Sequence, residues 1–262
     1  MDERNLRNLL SVAIITLNEE ERLPGCLASL SFADEVLVVD SGSTDRTREI
    51  AQSFGARVFV EPWMGFSMQK QMAVDRCSHD WVLILDADER VPEATAKTIR
   101  RVISRPDQGE VAAFSLKRKN LLHDKWIRHC GWWPDPVVRL VDRRKGEFDG
   151  RAVHERWITR GRVEHLDVHI EHLSFRNYSE LVAKMERYSN IAANELFERG
   201  RRVHAFTPLF HGSWMFLRTY LLERGFLDGF DGFVISLMNA GGSFFKYAKL
   251  HELIRQKQGR NR

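Results

Sequence analysis

The first hundred residues alternate between short apolar runs and segments of helical spacing. Leu9-Leu10-Ser11-Val12-Ala13-Ile14-Ile15-Thr16, Glu35-Val36-Leu37-Val38-Val39-Asp40 and Trp81-Val82-Leu83-Ile84-Leu85 have the length and continuity of strands buried on both faces. Arg57 to Val60 is a shorter strand. Asn18-Glu19-Glu20-Glu21 opens a helix through Leu30, with acids favourably placed at its start. Ser41-Gly42-Ser43-Thr44-Asp45 is a turn and cap leading a helix to about Phe54. Two more helices follow, Ser67 to Asp75 and Pro92 to Ile103, the second with proline in its first turn. Strand–helix alternation of this kind implies parallel pairing through right-handed crossovers.

After Ser104-Arg105-Pro106-Asp107 the pattern changes. Val111 to Lys117 and Val137 to Val141 read as strands around a Trp/His/Gly-rich segment, and Arg151 to Ser174 as strand and loop. From Tyr178 the chain is helical, with Leu181, Met185, Tyr188, Ile191, Ala192 and Leu196 on one stripe. Aromatic-rich helical stretches begin near Leu209 and Phe233. The reading is an α/β fold, a mostly parallel sheet flanked by helices over residues 1–176, with a C-terminal helical region over 177–262.

Length, composition and charge narrow this picture. A chain of 262 residues holds one large α/β domain, with or without an appendage. Cys26, Cys77 and Cys130 make neither a zinc pattern nor a disulfide framework, which fits a reducing compartment. Met1-Asp2-Glu3-Arg4-Asn5 lacks the form of a signal peptide, and the longest apolar stretch, Phe226 to Tyr247, carries Asp228, Asp231 and Lys246. A cytoplasmic protein without a membrane span is therefore expected. The net charge of +4 suits polyanionic partners such as nucleotides, whereas no nucleic-acid reading motif or clustered basic tract is present.

The candidate chemistry lies where three strands end in polar groups: Thr16-Leu17-Asn18-Glu19, Asp40-Ser41-Gly42-Ser43-Thr44-Asp45 and Asp86-Ala87-Asp88. All three ends belong to one edge of the sheet, where open α/β sheets bind ligands. Asp86 and Asp88 held about 4 Å apart would repel by roughly 4 kcal/mol at an effective dielectric of 20. A divalent cation relieves that repulsion, and two hard oxygen ligands with room for substrate phosphates suit Mg²⁺ or Mn²⁺. The competing reading has Asp88 capping the helix near Pro92 and Asp86 in a turn. Asp40 is placed to accept from the N–H groups of a nucleobase, Thr16 and Asn18 to hold base and ribose. Ser41, Gly42 and Ser43 are small enough for a ligand to approach the backbone.

These three motifs, over roughly residues 10–175, resemble family 2 glycosyltransferases of the GT-A fold. Gly131-Trp132-Trp133-Pro134 and Gly225-Phe226-Leu227-Asp228-Gly229 make the layout similar to the lipopolysaccharide core heptose β-glucosyltransferase subgroup. The resemblance implies an inverting transfer from a UDP-sugar, with glucose as the sugar of that subgroup, onto a lipid-linked saccharide, with Mg²⁺ or Mn²⁺ on the diphosphate. It divides residues 1–176 into a nucleotide-sugar half, about 1–105, and an acceptor half, about 106–176. The nucleotide-sugar candidates are Thr16, Asn18, Glu19, Asp40, Ser41, Gly42, Lys70, Asp86 and Ala87, the metal candidates are Asp86 and Asp88, and His172 is a third metal ligand or a diphosphate contact. The general base falls on Glu155 in Ala152-Val153-His154-Glu155-Arg156, where the family often has Glu-Asp and this chain has His-Glu. Trp132, Trp133 and Asp135 are candidates for the acceptor platform.

Against each assignment stands a structural one: Glu155 paired with Arg156 or Arg139, Lys70 facing solvent, His172 buried for packing, the tryptophans packed under a loop. The aromatic and basic C-terminal third suits peripheral attachment to the inner face of the cytoplasmic membrane; a helical core or a homo-oligomer contact fits it too. Two rival functions fit the residues less well. A haloacid-dehalogenase-type phosphatase wants Thr or Val where Arg90 stands, and its motif on the first strand. A nucleotide-sugar- or lipid-A-binding protein on an inactive scaffold is disfavoured by the presence of both Asp86 and Asp88.

Overall fold

A computed structural model of the chain describes residues 8–105, 109–150 and 155–260. The sequence-derived turn positions Pro106 and Asp107, and Arg151 to His154 of the second-half strand-and-loop segment, lie outside them. The elements run β1 (Leu10–Thr16), α1 (Leu23–Ala28), β2 (Glu35–Asp40), α2 (Thr47–Ser53), β3 (Arg57–Val60), α3 (Phe66–Asp75), β4 (Trp81–Asp86), β5 (Glu89–Arg90) and α4 (Glu93–Ile103). Then come β6 (Val111–Leu122), β7 (Lys125–Trp126), β8 (Pro136–Asp142), β9 (Gly146–Phe148), β10 (Trp157–Thr159), β11 (Arg162–Phe175), α5 (Tyr178–Glu198), α6 (Thr207–Leu217) and α7 (Phe230–Arg260). A π-helical turn, Arg218–Leu222, and a 3₁₀ turn, Gly225–Asp228, join α6 to α7.

The α/β fold expected from the pattern is present. Nine strands form one sheet in the order β3-β2-β1-β4-β8-β6-β11-β5, with β7 added beside β6. β1, β2, β3 and β4 pair in parallel, as the strand–helix alternation required. β8 pairs antiparallel with β4 and β6, β7 with β6, and β11 with β5, an arrangement that needs no crossover helices. Every side chain of β1 is buried, and β4 is buried up to Leu85. Continuous apolar runs are what a sheet covered on both faces demands. One cover is α4, which turns Ala96, Ile99, Val102 and Ile103 inward and places Arg100 and Arg101 in its last turn, where cations offset the helix dipole.

Three elements depart from the apolar pattern, each for a local reason. β6 and β11 outrun their hydrophobic stretches because charge pairs across the sheet carry them on: Lys117 with Asp167, and Lys119 with Glu171 at 2.9 Å. The first helix starts at Leu23 because the residues before it are spent on a loop described below. Asp88 does not cap α4: Pro92 occupies the N-cap, without a side-chain bond, and β5 intervenes.

The chain divides into two compact units. One comprises the chain up to Lys119 with Asp135–His172; the other comprises Asn120–Pro134 and Leu173 onward. The second is built on α5, α6 and α7, with a core of Leu122, Ile127, Cys130, Phe175, Leu181 and Ile235.

Candidate active site

Sheet register brings the strand ends together. Thr16 pairs with Asp40 across β1 and β2, and Ile15 with Asp86 across β1 and β4. Beyond these strands the pairing continues through one backbone bond and three side-chain bonds. Ser41 N donates to Thr16 O at 2.9 Å, Asn18 N to Ser43 Oγ at 2.8 Å, Thr44 N to Asn18 Oδ1 at 2.8 Å and Glu19 N to Thr47 Oγ1 at 2.8 Å. Asn18 does this from a left-handed backbone with φ of 55°. Asparagine is among the few non-glycine residues that visit that region readily.

Asp40 is fully buried. Its Oδ1 accepts from Gly42 N at 3.1 Å and Ser43 N at 2.8 Å, and its Oδ2 from the Ser43 hydroxyl. The carboxylate thus fixes the loop around Gly42, whose φ of 98° requires glycine. Ser41 Oγ accepts from Gln69 Nε2 at 3.1 Å. Two buried acceptors lack a partner at this edge, Thr16 Oγ1 and Gln69 Oε1. Glu19 pairs with Arg22 at 3.6 Å. Ala87 is buried in the core and offers the site only its backbone.

The acidic end of β4 is the most strongly coupled part. Lys70, buried on α3, places Nζ 2.9 Å from Asp86 Oδ1 and 2.8 Å from Glu155 Oε1. The solvent-facing alternative for this lysine is therefore excluded, and Glu155 is held by Lys70, not by Arg139. Arg139 instead binds Asp86 Oδ2 at 2.7 Å and Glu89, whose other carboxylate oxygen accepts from Asp86 N at 3.0 Å. Burial alone would raise the Asp86 carboxyl; Lys70 and Arg139 outweigh it and hold the group well below the usual carboxylate range. Burial opposes Arg139 similarly, and Glu89 and Asp86 overcome it, so the guanidinium stays charged.

Asp88 faces a different partner, with Oδ2 3.3 Å from His172 Nε2. Burial pushes its carboxyl up, and His172 brings it below its ordinary value. Both side chains keep some exposure, 19% and 12%, so the pair stays within reach of a ligand. Among the described residues no three His, Cys, Asp or Glu side chains form a ready-made cation cage. That does not count against Mg²⁺ or Mn²⁺, which commonly take one or two carboxylates with substrate phosphates and water. The Asp88–His172 oxygen and nitrogen donors fit such an ion; Asp86 has both oxygens engaged by cations.

The acceptor candidates divide between the two units, and Asp135 is tied to the acidic cluster through Arg118, 3.9 Å from Glu89. Asp135, in the first unit, receives the Arg118 guanidinium at 2.8 and 2.7 Å. Trp132 and Trp133, in the second unit, are half-buried: Trp132 packs on Phe175 with ring centroids 5.7 Å apart, and Trp133 meets Trp126 edge-on at 5.1 Å.

Arg139, Glu89 and Gln69 were not among the sequence candidates. Arg139 had a usable signal, a single charge inside Val137-Val138-Arg139-Leu140-Val141. Such a residue must find an acid partner or unfold the strand.

The model of the family described as "Glycosyl transferase family 2" matches residues 11–166. An uncharacterized glycosyltransferase of Rickettsia typhi is 32% identical over 254 residues, covering 93% of this chain and 87% of its own. LpsC of Rhizobium meliloti, named a lipopolysaccharide core biosynthesis glycosyltransferase, is 31% identical over 255 residues, 93% and 92% of the two chains. Among solved structures, Mycobacterium tuberculosis glucosyl-3-phosphoglycerate synthase in complex with Mn²⁺, UDP and glucosyl-3-phosphoglycerate is 19% identical, with a TM-score of 0.46 over 75% of this chain and 81% of that one. With its strand-end site on a sheet that the family model spans, and with relatives aligned along nearly all of its length, this chain belongs to glycosyl transferase family 2 and is a glycosyltransferase.

Proposed function

We propose that the protein is an inverting glycosyltransferase that moves glucose from UDP-glucose to a hydroxyl of a lipid-linked saccharide such as an inner-core heptose of lipopolysaccharide. The observation that carries this reading is Lys70. One ammonium group holds Asp86, at the end of β4, and Glu155, from the acceptor half, within 2.9 Å of the same atom. A carboxylate for the acceptor is thereby brought to the strand ends on which the donor is expected. The name of LpsC supports the acceptor class.

In this reading the nucleotide lies against the stapled loops of Asn18 and Asp40. Asp40 acts by shaping the Gly42 loop for the base, and Thr16 Oγ1 is a buried acceptor beside it. A divalent ion held by Asp88 and His172 would offset charge gathering on the diphosphate as it leaves. Glu155 takes the proton of the acceptor hydroxyl while that oxygen bonds to the anomeric carbon and the bond to the diphosphate breaks. Lys70 and Arg139 fix the carboxylates on either side before substrate arrives. The lipid-linked acceptor places the reaction at the cytoplasmic face of the membrane.

The test is a donor screen with UDP-glucose, UDP-galactose, UDP-N-acetylglucosamine and GDP- and ADP-sugars, each with Mg²⁺, Mn²⁺ or chelator. Metal-stimulated turnover of a UDP-hexose, lost in Glu155→Gln with donor affinity retained, is the expected result. Full activity in chelator would remove the metal from the reading. Donor binding lost together with transfer in Glu155→Gln would move that residue into the nucleotide pocket.

A further inference from the structure

Half of the large apolar side chains that the described residues leave exposed lie between Phe206 and Leu237. They are ordered on α6 in an unusual way. On its inward side α6 buries Pro208 and Gly212, followed on the same stripe by Thr219, with His211, Met215 and Phe216 half-buried beside them. A Cβ at Gly212 would stand 3.1 Å from Phe244 Cβ and 3.4 Å from Ala240 O on α7, so the two helices approach through a side chain that is absent. Phe210, Trp214, Leu217 and Leu221 occupy the opposite stripe and are 71%, 51%, 47% and 51% exposed. A helix packed in water shows the reverse, with its large apolar residues inside. A close helix approach at a glycine together with a row of large apolar side chains facing outward is the arrangement of helices whose surroundings are hydrocarbon.

Charge follows the same division. From Val203 to Leu217 there is no Asp, Glu, Lys or Arg. Arg201, Arg202, Arg218 and Arg224 flank the stretch and are exposed. The nearby acids are spoken for: Glu223 by Arg218 at 2.9 Å, Asp231 by Lys125 at 2.7 Å, and Asp228 by the backbone N–H of His129 at 2.8 Å. No helix among the described residues is long and apolar enough to cross a membrane. With 11 residues α6 is about 16 Å long, roughly half the thickness of a bilayer's hydrocarbon core.

We propose that α6 and the turns after it lie in the headgroup layer of an anionic bilayer, with Phe210, Trp214 and Leu217 directed at the acyl chains and Arg201, Arg202 and Arg224 on lipid phosphates. Aromatic and arginine side chains together are what that layer accommodates. A second copy of the chain is the poorer occupant. A twofold contact sets the same patch against itself, so the basic rim of one protomer meets the basic rim of the other. The inference rests on helix faces and does not depend on the sugar donor.

The experiment is co-sedimentation of the full chain with phosphatidylcholine vesicles, with and without phosphatidylglycerol. Binding is expected to the anionic vesicles only, weakening at least about tenfold between low and high salt because part of the attraction is Coulombic. The triple variant Phe210→Ser, Trp214→Ser, Leu217→Ser should lose vesicle binding by at least about tenfold, with thermal midpoint and calorimetric UDP affinity unchanged, since all three side chains are exposed. Arg201→Gln with Arg202→Gln should lose only the salt-sensitive part. Should the triple variant fold poorly, Trp214→Phe gives the second reading: it keeps binding and removes quenching of tryptophan fluorescence by brominated lipid. Wild-type chain left in the supernatant at low salt would overturn the proposal. So would a triple variant that sediments like wild type, or concentration-dependent dimers that this variant abolishes while vesicle binding is absent.

Discussion

Lys70→Met removes the cation that two carboxylates share while keeping most of the volume of the buried side chain. Asp86 Oδ1 and Glu155 Oε1 are 2.9 and 2.8 Å from Nζ. Without it the two oxygens lie less than about 6 Å apart, where like charges repel by roughly 3 kcal/mol at an effective dielectric of 20. Asp86 still has Arg139 at 2.7 Å, so part of its charge stays compensated. Removing one partner of a buried pair costs about 3–5 kcal/mol, and the retained arginine places this case near 3. In a chain of this size that corresponds to a thermal midpoint lower by about 6–12 °C. Glu155→Gln in the same background removes one of the two repelling charges. The double variant should therefore lose less than the two single losses together, with a coupling of about 1–3 kcal/mol in urea unfolding. A Lys70→Met chain within about 0.5 kcal/mol of wild type, or additive losses within the same margin, would refute the shared-cation argument.

Three further outcomes are expected. Asp88→Asn should lower sugar transfer by at least about 10³-fold, roughly 4 kcal/mol of barrier, and abolish stimulation of UDP binding by Mn²⁺ in calorimetry; undiminished stimulation would relieve Asp88 of that role. Asp40→Ala leaves the N–H groups of Gly42 and Ser43 without their acceptor and should weaken donor binding about tenfold or more, whereas Asp40→Asn, which keeps Oδ1, should lose markedly less; equal losses would point to the charge in place of the loop. Partial burial of Glu35 raises its carboxyl, but Ser11, the N–H and hydroxyl of Ser78, and Arg57 hold it down at about 2, from an ordinary 4.5. A lowered native pKa stabilises the fold above the unfolded value and ceases to do so as pH falls through the native one. Glu35→Gln should thus cost about 1–2 kcal/mol at pH 7, allowing for the screening of half-exposed Arg57, and the gap in urea midpoints between variant and wild type should narrow from pH 4.5 downward.

The strands of the first half were legible because a strand buried on both faces needs an unbroken apolar run, and β1, β2 and β4 have one. The strand ends were legible for the same reason: parallel pairing sends Thr16, Asp40 and Asp86 to one edge whatever the loops do. What could not be read was who partners whom inside the site. Lys70 and Glu155 are 85 residues apart in sequence, and their 2.8 Å bond depends on how α3 and the loop before β10 are placed. The strand expected to end at Lys117 runs on because the carboxylate partners of Lys117 and Lys119, Asp167 and Glu171, come from a strand far along the chain. The roles of acids at the head of α1 were misread for a related reason. Capping and loop-stapling use the same residue types, and only the tertiary position of the Asp40 loop decides between them.

That stapling has a consequence of its own. Loops at strand ends ordinarily exchange their amide protons quickly, since little holds them closed. Here the amides of Asn18, Glu19 and Thr44 are bonded to side chains of the facing loop, and that of Ser41 to the carbonyl of Thr16. They extend the β1–β2 ladder past the last regular pair by about one turn of chain. Their deuterium uptake should follow the slow strands, not the solvent-exposed connections. Ligand binding would then leave this wall's protection almost unchanged, as befits a surface assembled during folding and not on encounter with substrate.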